Sequence, residues 1–175
     1  GRVLGPWIYS RDGSGLETVV GSLLRERGAT LACAESCTGG LIGHRLTEVA
    51  GSSDYFLESA VVYANGAKVR RLGVAARLIE RHGAVSAPVA RAMATGVRRT
   101  AGADFGLAVT GVAGPGGGTA RKPVGLVHFA LAHARGTAVE RHLFAGGRSA
   151  IKFQASQKAL DMLRKALING APKAV

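Results

Sequence analysis

Two reactive side chains stand in the chain where a nucleophile and its base could be placed: Ser36, within Ala34-Glu-Ser-Cys-Thr-Gly-Gly40, and Lys68, within Tyr63-Ala-Asn-Gly-Ala-Lys68. A nucleophile needs exposure, backbone donors for an oxyanion, and a nearby base. The run 30–34 is apolar and has the length of a buried strand, and residues 41–49 resume helical spacing, so Ser36 falls on a sharp strand-to-helix turn. Amides from Cys37 to Gly40 are then orphan donors at a helix start, where the dipole favours negative charge. Gly39 and Gly40 would let a substrate approach the backbone. The same pattern also describes a plain helix cap, and Cys37, beside Ser36, is a rival nucleophile because helix N-termini depress thiol pKa values.

Lys68 follows a β-rich stretch, 59–63, that Asn65-Gly66 ends with turn chemistry. A lysine works as a base once burial or cationic neighbours lower its pKa, and Arg70 and Arg71 stand close by. The bland alternative is a solvated lysine opening a helix, with Tyr63 a strand-end aromatic and Asn65 a turn residue. A third segment, Thr110-Gly-Val-Ala-Gly-Pro-Gly-Gly-Gly-Thr119, is a glycine-dense loop after a buried strand. That is where α/β sheets bind ligands, and bare amides suit phosphate. It lacks the lysine and spacing of a P-loop, so a surface loop is the competing reading. Arg121 and Lys122 add positive charge beside it, and Gly146-Gly147-Arg148 offers a guanidinium fork for phosphate or carboxylate.

The five histidines share no metal-ligand spacing, and His128 and His142 lie on expected strands as structural residues. Cys33 and Cys37 form a C-x3-C pair without a histidine cluster, which argues against zinc and against a disulfide framework. Reduced thiols in the cytoplasm are the simplest reading. No metal or cofactor is expected.

The elements that must hold these groups can be traced from periodicity. Helices are expected over 16–27, 41–49, 68–72, 75–81, 86–101 (Ser86 as N-cap, Pro88 in the first turn) and 148–168. Strands are expected over 30–34, 59–63 and 105–110, with a hairpin from 124–132 and 137–144. Alternating helices and buried strands predict an α/β domain, a three-layer α/β/α sandwich whose hairpin makes the central sheet mixed. Residues 1–15 read as a lead-in and 16–175 as the domain.

Composition bounds the partners. The chain has 175 residues, 47% hydrophobic and 19% charged, which excludes disorder. No apolar run reaches the ~18 residues of a membrane span. The net charge of +12 would attract phosphates, nucleic acid or acidic partners. Aromatics make up only 5%, so base stacking is poorly supplied and nucleic acid is not the expected partner.

Taken together, these segments closely resemble the CinA C-terminal domain, or nicotinamide mononucleotide deamidase, family. The resemblance runs from residue 16 to 167 and adds Gly51-Ser-Ser53, Leu72-Gly-Val74, His82-Gly-Ala-Val-Ser86 and Lys122-Pro-Val-Gly125. It implies an amidohydrolase converting nicotinamide mononucleotide to nicotinic acid mononucleotide and ammonia through a Ser/Lys dyad. Ser36 would be the nucleophile, Lys68 its base, and Tyr63 an aid to proton transfer or to orienting the lysine. Amides near Thr38, Gly39 and Gly40 would hold the oxyanion. Asn65, Thr110, Gly111, Gly114 and Arg148 would face the substrate, the last near its ribose phosphate. The family usually has an acidic residue where Gly147 stands, so Arg148 is expected to be less well oriented here. It also implies a homo-oligomer and, from Leu4-Gly-Pro-Trp-Ile-Tyr9, a joint to an N-terminal domain in a longer parent. A non-catalytic, competence- or damage-associated binding module is the alternative the same resemblance allows.

Overall fold

A computed structural model describes residues 8–172. Of the joint signature, residues 4–7 lie outside the described residues; 8–15 contain neither helix nor strand.

The elements run α1 (Leu16–Glu26), β1 (Leu31–Glu35), α2 (Leu41–Thr47), β2 (Phe56–Val61), α3 (Asn65–Leu72), α4 (Ala76–His82), α5 (Ala87–Ala101), β3 (Phe105–Gly111), β4 (Leu126–His133), β5 (Gly136–Leu143) and α6 (Arg148–Ile168). A short 3-10 turn, Ser52–Asp54, lies between α2 and β2. The five strands form one sheet in the order β2-β1-β3-β4-β5. β1 pairs in parallel with β2 and β3, while β3, β4 and β5 pair antiparallel. The three-layer, mixed-sheet expectation is met.

Two cores cover the two faces. Against α1, α2 and α6 the sheet presents large side chains: Leu31, Phe105, Leu107, Val109, Phe129 and Leu131. Against α3, α4 and α5 it presents Ala32, Ala34, Ala108, Ala130 and Ala132. The alternation is the period of two of a strand buried on both sides. Small residues on the second face let α5 lie close. A Cβ on Gly106 would come 2.2 Å from the carbonyl oxygen of Ala94 in α5, so only glycine fits there.

This arrangement positions the site. From β1 the chain crosses through α2 on one face to reach β2, then through α3–α5 on the other face to reach β3. The crevice beyond the carboxyl ends of β1, β2 and β3 is therefore a topological switch point.

Two boundaries differ from the sequence reading. β2 occupies 56–61 rather than 59–63, and Asn65-Gly66, expected as a turn, are the first residues of α3 with Ala64 as extended N-cap. The first turn of a helix tolerates poor helix formers, because its amides have no intrahelical partner. Ser86 does sit at the N-cap of α5, but its hydroxyl donates back to the Gly83 carbonyl at 2.8 Å instead of accepting from the helix.

Candidate active site

Ser36 follows β1 directly. Its amide donates to Val109 O on β3 at 3.0 Å, which fixes the turn against the sheet, and the residue is 8% exposed. Lys68, one turn into α3, points back under the end of β2. It is 1% exposed, and its Nζ lies 3.2 Å from Ser36 Oγ, 2.9 Å from Val62 O and 3.0 Å from Tyr63 O. Burial pushes its pKa below the ordinary 10.5, with a weaker opposing pull from Cys37. No carboxylate forms a salt bridge with it among the described residues. The neutral amine matches its surroundings. Three acceptors surround Nζ, the carbonyls of Val62 and Tyr63 and Ser36 Oγ; once neutral, the amine keeps two N–H groups for the carbonyls and can turn its lone pair to the Ser36 hydroxyl.

The turn after Ser36 is organised by Glu35, a residue for which the sequence reading found no role. Its fully buried carboxylate accepts the amides of Gly40 (3.0 Å), Ile42 (3.1 Å) and Gly43 (2.8 Å), and the hydroxyl of Ser59 (2.8 Å). The start of α2 is thus capped from inside by the residue preceding Ser36. The available signal was a lone carboxylate at the end of an otherwise apolar strand, within reach of helix amides that need acceptors.

That capping redistributes the expected oxyanion donors. The Gly40 amide goes to Glu35, and the Gly39 amide donates to Ser36 O at 3.1 Å. The amides of Cys37 and Thr38 donate to no oxygen among the described residues. Gly39 and Gly40 keep a conformational role, at φ 62° and 95°, where a side chain is strained. Thr38 Oγ1 is buried with no hydrogen-bond partner. Cys37 is packed into the larger core, and burial pushes its thiol up to about 12, so it carries no thiolate at neutral pH.

The other expected site residues gather around the same crevice by different routes. Tyr63 is 58% exposed; its backbone carbonyl holds Lys68, while its hydroxyl accepts from Arg148 Nη2 at 3.0 Å. Arg148 also donates from Nη1 to Gly114 O at 2.8 Å, so it bridges the glycine loop and the end of β2. It is oriented without an acidic residue at position 147. Asn65 is exposed at the start of α3 and makes no side-chain hydrogen bond among the described residues. Thr110 is buried and donates to Ala84 O at 2.9 Å, so its hydroxyl ties β3 to the 82–86 loop. Gly111 ends β3. Lys122 Nζ donates to His82 O at 2.6 Å, linking the same loop to the glycine segment. His128 is buried on β4 opposite Thr110, and burial, with Arg141 and Lys122 nearby, lowers its pKa.

Among the described residues no group of three His, Cys, Asp or Glu side chains could hold a metal ion, and no helix is long and apolar enough to cross a membrane.

Residues 14–167 match the family model for the CinA C-terminal domain. A CinA-like protein of Geobacter sulfurreducens is 54% identical over 165 residues, covering 94% of this chain and 40% of that protein. A putative competence-damage inducible protein of Moorella thermoacetica is 51% identical over 164 residues, with the same coverage. The chain therefore spans about 40% of the length of these curated relatives. A crystal structure of a CinA superfamily protein from Klebsiella pneumoniae superposes with a TM-score of 0.85 at 35% identity, covering 88% of this chain and 96% of that one. A competence/damage inducible protein from Agrobacterium tumefaciens gives 0.82 at 43% identity, covering 87% and 93%. This chain belongs to the CinA C-terminal domain family.

Proposed function

We propose that the chain is an amidohydrolase that hydrolyses nicotinamide mononucleotide to nicotinic acid mononucleotide and ammonia. The observation that carries this reading is the desolvated Lys68 amine 3.2 Å from the Ser36 hydroxyl, with no carboxylate in a salt bridge to it among the described residues. The family resemblance supplies the amide substrate; the geometry supports a base beside a nucleophile, next to the Cys37 and Thr38 amides, which meet only the Cys37 sulfur, a weak acceptor.

In the first half-reaction Ser36 Oγ attacks the carboxamide carbon as its proton passes to Lys68 Nζ. The C–O bond forms, and the carbonyl pair becomes an oxyanion facing the amides of Cys37 and Thr38. Collapse of that intermediate breaks the C–N bond, and Lys68 returns the proton to the departing nitrogen, which leaves as ammonia. In the second half-reaction water attacks the acyl-serine ester, again with Lys68 as base, and Ser36 leaves with the proton. Arg148, held between Tyr63 and Gly114, presents its charge at the rim of the same crevice and suits the nucleotide's phosphate.

The test is ammonia release from nicotinamide mononucleotide by the wild-type chain and by Ser36→Ala and Lys68→Ala. The wild type is expected to turn over, with Ser36→Ala at background and Lys68→Ala reduced at least ~10²-fold, the scale of a general base. Full activity in Ser36→Ala overturns the mechanism. No turnover by the folded wild type overturns the assignment.

A further inference from the structure

The site uses little of the +12 charge, and the rest is not spread evenly. The segment containing α3, α4 and α5, residues 65–102, holds Lys68 and seven arginines against a single acid, Glu80. Six of those arginines, Arg70, Arg71, Arg77, Arg81, Arg91 and Arg99, are exposed, and none forms a salt bridge among the described residues. Clustered cations without counter-ions repel one another, so this layer is costly unless an anion meets it.

The same layer carries a groove of about 630 Å3 along the outer side of α5. Its lining includes Leu72, Leu78, Pro88, Ala92 and Gly96, the last lacking a Cβ where the Leu72 carbonyl packs against α5. Arg91 and Arg99 stand along it, two turns of α5 apart. Each guanidinium is anchored to a carbonyl, Arg91 to Thr137 O at 2.6 Å and Arg99 to Leu72 O at 3.3 Å, so both are held as fixed forks. From Ala87 to Arg99 the groove follows ~18 Å of helix at ~1.5 Å per residue, about the length of three turns of a partner helix.

An apolar floor between basic walls selects among polyanions. Phosphate backbones have no use for the floor, and residues 65–102 contain no Phe, Tyr or Trp on which a base could stack. A second copy of this chain docked face to face would set arginines against arginines. We propose that the α5 groove binds an acidic amphipathic helical segment of a partner protein, its apolar stripe on Leu72, Leu78 and Ala92 and its carboxylates on the flanking arginines.

The experiment uses the full chain and three labelled probes followed by anisotropy. These are an 18-residue peptide with leucines on one helical face and glutamates on the other, a peptide of the same composition with its leucines scrambled, and a 20-base-pair DNA duplex. The patterned peptide is expected to bind at 50 mM salt and the scrambled one at least tenfold more weakly. Leu78→Glu and Arg91→Glu/Arg99→Glu are each expected to weaken the patterned peptide at least tenfold. Arg71→Glu/Arg77→Glu, exposed side chains that make no hydrogen bond or salt bridge among the described residues, covers the case in which the first pair disturbs folding. Equal binding of both peptides, tighter binding of the duplex with loss in the same variants, or no peptide binding at millimolar concentration each overturns the proposal.

Discussion

Glu35 Oε2 accepts the amide of Gly40 at 3.0 Å, and that contact divides the turn after Ser36 into amides held by oxygen acceptors and amides that face only the Cys37 thiol. The carboxylate also takes the amides of Ile42 and Gly43, so the positive end of α2 is neutralised internally. The pair nearest Ser36, the amides of Cys37 and Thr38, meets only the Cys37 sulfur, a weak acceptor that an oxyanion would outcompete.

Glu35→Gln tests that division. The amide side chain keeps one acceptor oxygen but turns an NH2 toward backbone N–H groups that have nowhere else to donate. Leaving buried donors unmet costs ~1–3 kcal/mol each. The variant is therefore expected to lose a few degrees to about ten in Tm, since ~1 kcal/mol is worth ~2–4 °C at this size. Its kcat for ammonia release is expected to fall more than its KM rises, because the turn shapes the reacting centre. An unchanged Tm in thermal denaturation would mean that the cap contributes nothing.

The depressed pKa of Lys68 fixes two pH dependences. The base must be neutral, so kcat/KM is expected to rise with pH through the lowered value and reach its plateau below 10.5, the ordinary lysine value. For stability, the unfolded chain binds more protons than the folded one between the lowered pKa and 10.5, so stability gains from this group as pH rises across that window. Lys68→Met removes the titration, and the wild-type-minus-variant difference in unfolding free energy is expected to slope upward over that range. A flat difference in urea titrations at several pH values contradicts the burial argument. Lys68→Arg keeps a permanent cation and is expected to be inactive at every pH.

Cys37 separates the two nucleophile readings. Its thiol is packed in the core and pushed up to about 12, so Cys37→Ala is expected to keep kcat/KM within about threefold while losing some stability from the small cavity. Iodoacetamide at pH 8 is expected to leave the native enzyme active. Rapid inactivation by the reagent would return the thiol to the mechanism.

The legible parts of the sequence were those with a local cause. The largely buried strands β1, β3 and β4 and the 3.6-residue stripes of α1 and α6 follow from hydrophobic spacing, and α5 from its Ser86 cap and Pro88 start. The Ser36 turn was legible because a strand period gives way to a helix period across two glycines. Lys68 was harder, since its character depends on Val62 O and Tyr63 O closing over it from a strand whose end the sequence placed two residues late. Glu35 was missed for a related reason. A carboxylate between Ala34 and Ser36 carries no sign in its neighbours that four donors converge on it from α2 and β2. The orientation of Arg148 was also invisible, because both its partners are distant in sequence.

Gly147 stands where the resemblance implies an acidic residue, and the geometry gives that position a different role from orienting Arg148. Gly147 is the N-cap of α6, with φ −75° and ψ 171°, and no side chain caps the helix. A Cβ built there meets nothing within 4 Å, so an aspartate fits without strain. An N-cap carboxylate would accept an amide of the first turn and meet the positive end of a 21-residue helix. Gly147→Asp is expected to stabilise the chain by roughly 0.3–1 kcal/mol, the scale of a dipole-complementing charge plus the small gain over a glycine cap. Because Arg148 is already held by Tyr63 and Gly114, kcat/KM is expected to stay within about threefold. Thermal denaturation and ammonia-release kinetics on the one variant decide it. A large gain in kcat/KM with unchanged Tm would show that the carboxylate acts on the arginine after all.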